Sequence, residues 1–247
     1  GGSATERMRI KSDGNVGINN SSPTQRLEIN GNSQFNMYDN GSGGGGYYTT
    51  KGLQIGNAFD AGLSGGDDDR NAIVWNERGT SLLFATNNIE HMRINADGIV
   101  TKPLQPAFSA CLGAEQANLP VATTTILFSS EIFDQNSDFN TSTYTFTAPV
   151  TGKYQFNISI RVDNMDQGAS YHRLKLVTSN GDYQPTIMGN GDAFNSDLAY
   201  FFFTMPVLAD MDSGDTAYVQ FQVNGGAAQA VIHASRPNAN FSGYLVA

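Results

Sequence analysis

Acidic, amide and aromatic side chains dominate the positions able to do chemistry in this chain, and their spacing points to recognition of a polar ligand. Tyr171 and Tyr183, with Asn180, Asp182, Asn190 and Asp192, lie in or beside two segments, 163–170 and 178–195, rich in Asn, Asp, Gly and Tyr. Aromatic rings stack on sugar rings while amides and carboxylates bond hydroxyl groups, so these six are the candidate ligand-binding residues, with a saccharide as the ligand. The same residue types also build turns, the structural alternative at every one of them. Two acidic clusters resemble cation loops. Asp67, Asp68 and Asp69 follow paired glycines, and Asp210, Asp212 and Asp215 copy part of a calcium loop, although Phe221 stands where such a loop needs a bidentate Glu.

Signals for catalysis are weak. His91, His172 and His233 are each embedded in strand-like sequence, and there is no G-x-S-x-G elbow, H-E-x-x-H, paired C-x-x-C or P-loop. A pair of carboxylates that cleaves a glycoside is defined by separation in space, which sequence does not give. A polysaccharide depolymerase therefore stands as the rival to a purely binding protein. Cys111 is the single cysteine, which excludes an intrachain disulfide; following Phe108-Ser109-Ala110, it reads as a small buried hydrophobe.

Composition narrows the partners. Charged residues make up 15% of the 247, against about 25% in a typical soluble domain. The net charge of −9 is uneven: residues 1–106 hold nine basic and eleven acidic side chains, 107–247 five and twelve. Phosphates are repelled by such a surface, so no nucleic acid or anionic membrane is expected as partner. No apolar run reaches the ~20 residues of a membrane span. The opening Gly1-Gly2-Ser3, without Met or signal peptide, is the start expected of a piece of a longer protein.

The elements that position these residues are all strands. Apolar residues recur with period two throughout and nowhere with a helical period, giving an all-β expectation. One pattern occurs twice, at residues 6–16 and 90–100: Glu-x-Met-Arg-Ile-x-x-Asp-Gly-x-Val. Met8 and Ile10 alternate on one face, Asp13-Gly14 supplies a turn with positive backbone angles, and Val16 and Ile18 resume the alternation, so residues 6–18 read as a β-hairpin. A lone two-stranded ribbon is marginal in water. Copies of itself from neighbouring chains are the economical cover, which makes 1–106 a trimeric, intertwined β shaft with loop-rich insertions over 30–89, including the five glycines of 39–46 and short strands at 26–29, 47–55, 72–75 and 81–85. Lys102-Pro103-Leu104-Gln105-Pro106 marks a boundary, because paired prolines break ladders. Beyond it, Tyr154, Phe156, Ile158, Ile160 and Val162 alternate with polar residues, as do Val219, Phe221 and Val223; both read as strands with one buried face. Leu198 to Val207 is nearly continuous in apolar residues, as in a central strand buried on both sides or one at a subunit interface.

Phe108-Ser109-Ala110, Phe133-Asp134 with Phe139-Asn140, Phe146-Thr147-Ala148-Pro149-Val150-Thr151-Gly152-Lys153-Tyr154-Gln155-Phe156, Met211 to Val219, and Phe241-Ser242-Gly243-Tyr244-Leu245 resemble, in order, the signatures of the C1q-like globular head. The resemblance implies that 107–247 is a ten-stranded jelly-roll β-sandwich of the complement and tumour necrosis factor type, assembled as a homotrimer. Gly152 is read as allowing a tight turn, and Phe146, Phe156 and Phe241 as core. Some heads of this family hold calcium near the threefold axis through acidic residues beside the 211–219 turn. The resemblance thus implies calcium as a cofactor, with Asp215 as the matching metal position. The repeated hairpin pattern resembles repeats of bacteriophage tail fibres and bacterial surface proteins. Shaft then head is the layout of a receptor-binding fibre. The expectation is a non-enzymatic, extracellular tip carried on the virion that attaches to a host surface receptor; a bacterial surface or trimerisation protein is the third reading.

Overall fold

The computed structural model describes residues 6–24, 26–29, 53–57, 72–76, 79–189, 196–234 and 238–247, with only the backbone described at 53–57, 72, 73 and 75. The glycine-rich stretch 39–46, the Asp67–Asp69 loop, most of the expected strand 47–55, and the candidates Asn190 and Asp192 lie outside these residues. All regular elements among the described residues are β-strands, as the period-two patterning requires. The chain divides into two compact units, Gly1–Thr101 and Lys102–Ala247.

In the first unit β1 (Met8–Ile10) and β2 (Val16–Ile18) form an antiparallel hairpin with Met8 opposite Ile18 and Ile10 opposite Val16, and β3 (Leu27–Ile29) adds parallel to β2. A two-stranded ladder follows, β4 (Leu53–Asn57) with β5 (Ala72–Asn76). The unit ends in a second three-stranded sheet of β6 (Leu82–Thr86), β7 (Ile89–Ile94) and β8 (Val100–Thr101). The sequence repeat is also a structural repeat. Ile94 faces Val100 as Ile10 faces Val16; the turn glycines Gly14 and Gly98 take φ of 84° and 81°; and Arg9 clasps Glu6 as Arg93 clasps Glu90, each at 2.6 Å. Only the glycine of each Asp-Gly takes a positive angle. The turn spans five residues, and Asp13 caps it by accepting the Asn15 N–H at 3.0 Å.

The second unit is a sandwich of two sheets. Its strands are β9 (Ala107–Cys111), β10 (Thr123–Thr125), β11 (Ser130–Asp134), β12 (Phe139–Asn140), β13 (Thr145–Thr147), β14 (Gly152–Met165), β15 (Ala169–Thr178), β16 (Gly181–Gly189), β17 (Leu198–Met211), β18 (Thr216–Gly225), β19 (Val231–Ile232) and β20 (Ala239–Leu245). One sheet runs β12-β13-β18-β15-β16 and the other β11-β9-β20-β14-β17, ten strands between them, with the short β10 and β19 pairing onto β18 and β14. The inward residues of β14 are the alternating set Tyr154, Phe156, Ile158, Ile160 and Val162, all buried. Phe108 anchors an aromatic cluster, stacked 4.8 Å from Phe139 and 5.0 Å from Phe146 and edge-on to Phe241 at 5.0 Å.

Two expectations change in detail. The apolar run 198–207 is not central: β17 is the edge of its sheet, beside β14 alone. Alternate residues Phe203, Met205 and Val207 point into the core, while Tyr200, Phe202 and Leu208 stay exposed. Pro206, which has no N–H to give a ladder, is at home on an edge. Gly152 is also required for another reason than turn geometry. A Cβ there would lie 2.6 Å from the Ala247 carbonyl oxygen and 2.7 Å from Leu245 Cδ1, so the glycine makes room for residues 245–247, which run antiparallel beside the start of β14.

Candidate functional site

The sandwich places the sequence-derived site residues at opposite ends of one strand. β15 carries Tyr171 near its start, and the Thr178–Gly181 pairing closes the hairpin at its far end, where Asn180, Asp182 and Tyr183 sit. Tyr171 and Thr178 are seven residues apart along β15, and at about 3.3 Å per residue this is more than one sugar ring spans. Segment 163–170 and the 178–181 end of segment 178–195 therefore do not combine into one site, while Gly189, further along the second segment, stands opposite Tyr171.

At the far end the polar side chains mostly bond one another. Asn180 Nδ2 donates to Asp215 Oδ2 at 2.6 Å and to the Asp210 carbonyl at 3.2 Å. The same Asp215 oxygen accepts the Asp212 N–H at 2.7 Å, so this carboxylate caps the β17–β18 turn. Gly214, with φ of 92°, completes that turn and donates its N–H to the Ala148 carbonyl. Tyr183 lies opposite Leu176 and packs its ring against the core, while Asp182 opposite Val177 is exposed. Among the described residues, no group of three or more His, Cys, Asp or Glu side chains is placed to hold a metal ion.

At the near end carboxylates tie loops together. Asp166 accepts N–H groups from Gly168 and Ala227, and Asp197 accepts from the Gln167 N–H at 2.9 Å and the Gln229 amide at 2.8 Å. The Gln167 bond, then that of Gln229, holds the Asp197 carboxyl below its ordinary range.

Side chains alternating outward from β15 make a different surface, the outer face of the first sheet. His172, Leu174 and Leu176 are buried, and Tyr171, Arg173 and Lys175 point the other way. The Arg173 guanidinium lies 4.8 Å from the Tyr171 ring centroid, and its Nη1 donates to Gln184 at 2.7 Å. Asn224 Nδ2 donates to the Tyr171 hydroxyl at 3.1 Å. One face of the Tyr171 ring is thus covered by a cation. Sequence reasoning missed Arg173, Lys175, Gln184 and Asn224, although the period-two signal that located β14 runs just as clearly from Tyr171 to Val177.

The outer face of the second sheet is apolar at its margins. Tyr200 and Leu208 are 59% and 57% exposed on β17, with Phe202 between them, Tyr244 on β20 and Phe133 on β11. Its centre is a shallow depression of about 250 Å³ bordered by Asn157, Ser159, Thr204, Pro206 and Asn240.

The histidines do not assemble a catalytic centre. His91 is exposed and bonds Thr86, His172 is buried and stacks on Phe221, and His233 bonds the Ala234 carbonyl. Asp138 borders a polar depression with Ser137, Asn140, Thr141 and Thr147. Burial pushes its carboxyl up, Asn136 pulls against this, and the charge of Asp134 adds to the rise. Asp134 itself accepts the N–H groups of Asp138 and Phe139, the bonding of a turn cap.

Two facing antiparallel sheets in this order, with the chain passing from one to the other between β14 and β15, β16 and β17, and β17 and β18, define a jelly-roll sandwich. Residues 107–246 match the C1q domain model, and the chain belongs to the C1q domain family. Domains of this family are commonly trimeric binding modules and are generally not enzymes. Among solved structures, the globular domain of zebrafish complement 1qA is similar, with 22% identity over 58% of this chain and 98% of that one and a TM-score of 0.38. Murine APRIL is similar with 8% identity over 57% of this chain and 99% of that one, TM-score 0.42. No curated protein matches the chain.

Proposed function

We propose that this chain is the tip of a trimeric attachment fibre of the kind borne by phage tails. Three C1q-type heads bind a host surface glycan and leave it uncut. The apolar margin of the second sheet carries this reading. Tyr200, Phe202, Leu208, Tyr244 and Phe133 are exposed on one sheet face, where the Arg161 guanidinium lies over the Tyr200 ring, 4.8 Å from its centroid, and the other rings and Leu208 stay open. Two further copies of the chain are the cover that membership of this family suggests. The first unit supports the same occupant, since Met8 and Ile10 form an apolar row that its own three-stranded sheet leaves open. A trimer presents three identical sites, and simultaneous engagement raises avidity by roughly 10²–10⁴ with no new contact. On this reading the protein works outside the host cell, as part of the virion.

The Asp138 depression gives the rival reading its one specific observation, a carboxyl pushed upward in a polar hollow. Incubating the purified chain with a panel of bacterial surface polysaccharides, and measuring both retention and reducing ends, separates the two. Attachment predicts retention with no new reducing ends. Reducing ends that disappear in Asp138→Asn would replace the binding reading with a depolymerase.

A further inference from the structure

Four Lys and Arg side chains belong to the described part of residues 107–247: Lys153, Arg161, Arg173 and Lys175. Lys153 pairs with Asp210 at 2.5 Å and Arg161 with Asp163 at 2.6 Å. Among the described residues no carboxylate pairs with the other two, and those two are neighbours on the outer face of β15. In a half with twelve acidic and five basic residues, this leaves a confined positive spot on an otherwise acidic surface.

Arg173 is held ready for an anion. Stacking on Tyr171 and the Gln184 bond fix the plane of the guanidinium and leave further donors unspent. Little side-chain freedom is then lost when a carboxylate docks, and the planar fork matches two carboxylate oxygens. Around the cations lie groups suited to hydroxyls. Gln222 stands opposite Arg173 and Gln220 opposite Lys175, with Thr123 and Thr125 one strand further on. Two cations ringed by acidic surface suit a single, widely spaced carboxylate. They do not suit phosphates, which in duplex DNA come every ~1.7 Å along the axis.

We infer that the outer face of the first sheet is a subsite for a carboxylate-bearing polysaccharide. Arg173 grips the carboxylate, Lys175 adds charge, and Gln220 bonds a sugar hydroxyl. The inference rests on the attachment reading and names the class of glycan that this reading leaves open.

The test uses the full chain against alginate, hyaluronate and polysialate, a carboxyl-reduced neutral form of each polymer, dextran, and duplex DNA. At least one acidic polymer is bound, its reduced form is not, and raising the salt weakens the binding. Arg173→Gln and Lys175→Gln each weaken it by roughly tenfold, the worth of a charge-assisted hydrogen bond. Arg173→Lys, which keeps the charge and loses the fork, also weakens it. Both side chains point away from the core, so an unchanged melting temperature in all three variants confirms folding. Retention of neutral polymers with both Gln variants unaffected overturns this inference and leaves the attachment reading standing. Preference for DNA over every acidic glycan also overturns it, and retention of no polysaccharide overturns both.

Discussion

In the second unit two facing sheets hide Phe108, Phe146, Phe156 and Phe241 from water, whereas in the first unit the ladder β1-β2-β3 leaves Met8 57% and Ile10 66% exposed. Among the described residues, every buried apolar side chain of the core lies between Phe108 and Phe241. The two units share strand geometry and period-two patterning but differ in closure. A sheet that finds a second sheet in its own chain encloses a core, and a two-stranded ribbon that finds none is marginal in water. Local order in the first unit rests on turn glycines and on the Arg–Glu clasps repeated in both hairpins, and exposed ion pairs of that kind contribute little.

Separating the units tests this contrast most severely. Expressed alone, 102–247 keeps a cooperative thermal transition and strong amide-exchange protection, while 1–101 shows neither; a cooperative transition in isolated 1–101 would break the comparison. The next largest effect comes from the head core. Phe241→Ala removes a ring in contact with Phe108, Phe128 and Phe156 and costs about 3–5 kcal/mol in denaturant unfolding. The paired change Met8→Ala in the first unit leaves that transition where it was.

Gly243→Ala sharpens the picture of how tightly the sandwich closes. A Cβ at this position would meet the Phe156 ring at 2.6 Å and the Phe108 ring at 2.8 Å, so overpacking costs about 1–3 kcal/mol in the same assay. Leu208→Glu acts on assembly instead. A charge on the exposed edge of β17 leaves the monomer's fold intact and shifts the sedimenting species toward monomer.

The smallest effect concerns pH and the first unit. Hydrogen bonds from Arg9 and Arg93, backed by their charge, hold the Glu6 and Glu90 carboxyls below the usual range. Groups depressed in this way stabilise the fold above their unfolded value, about 4.3, and that contribution fades as pH falls through the lowered one. Exchange protection at the two hairpins therefore drops between pH 5 and 3 by a modest factor, and Glu90→Gln removes the dependence from the second hairpin alone.

Much of this was legible in the sequence. The alternation from Tyr154 to Val162 fixed which face of β14 is buried, and the Asp-Gly repeats located two hairpins with identical register. Other features were hidden for a physical reason: period two tells which side of a strand is buried but not which strand lies beside it. The apolar run 198–207 thus fitted a central strand or an interface equally well, and only the sheet order placed it on an edge. Likewise Tyr171 and Asn180 are close in sequence yet stand at opposite ends of β15, because an extended strand carries its ends apart. The Arg173–Lys175 spot was readable as alternation, but its lack of ion-pair partners among the described residues is a fact of space.

Sedimentation equilibrium of the full chain at micromolar concentration tests the central claim most directly. The account predicts a single species near three times the 26.5 kDa of one chain. A folded monomer whose 6–18 and 90–100 hairpins are fully protected from exchange would contradict it.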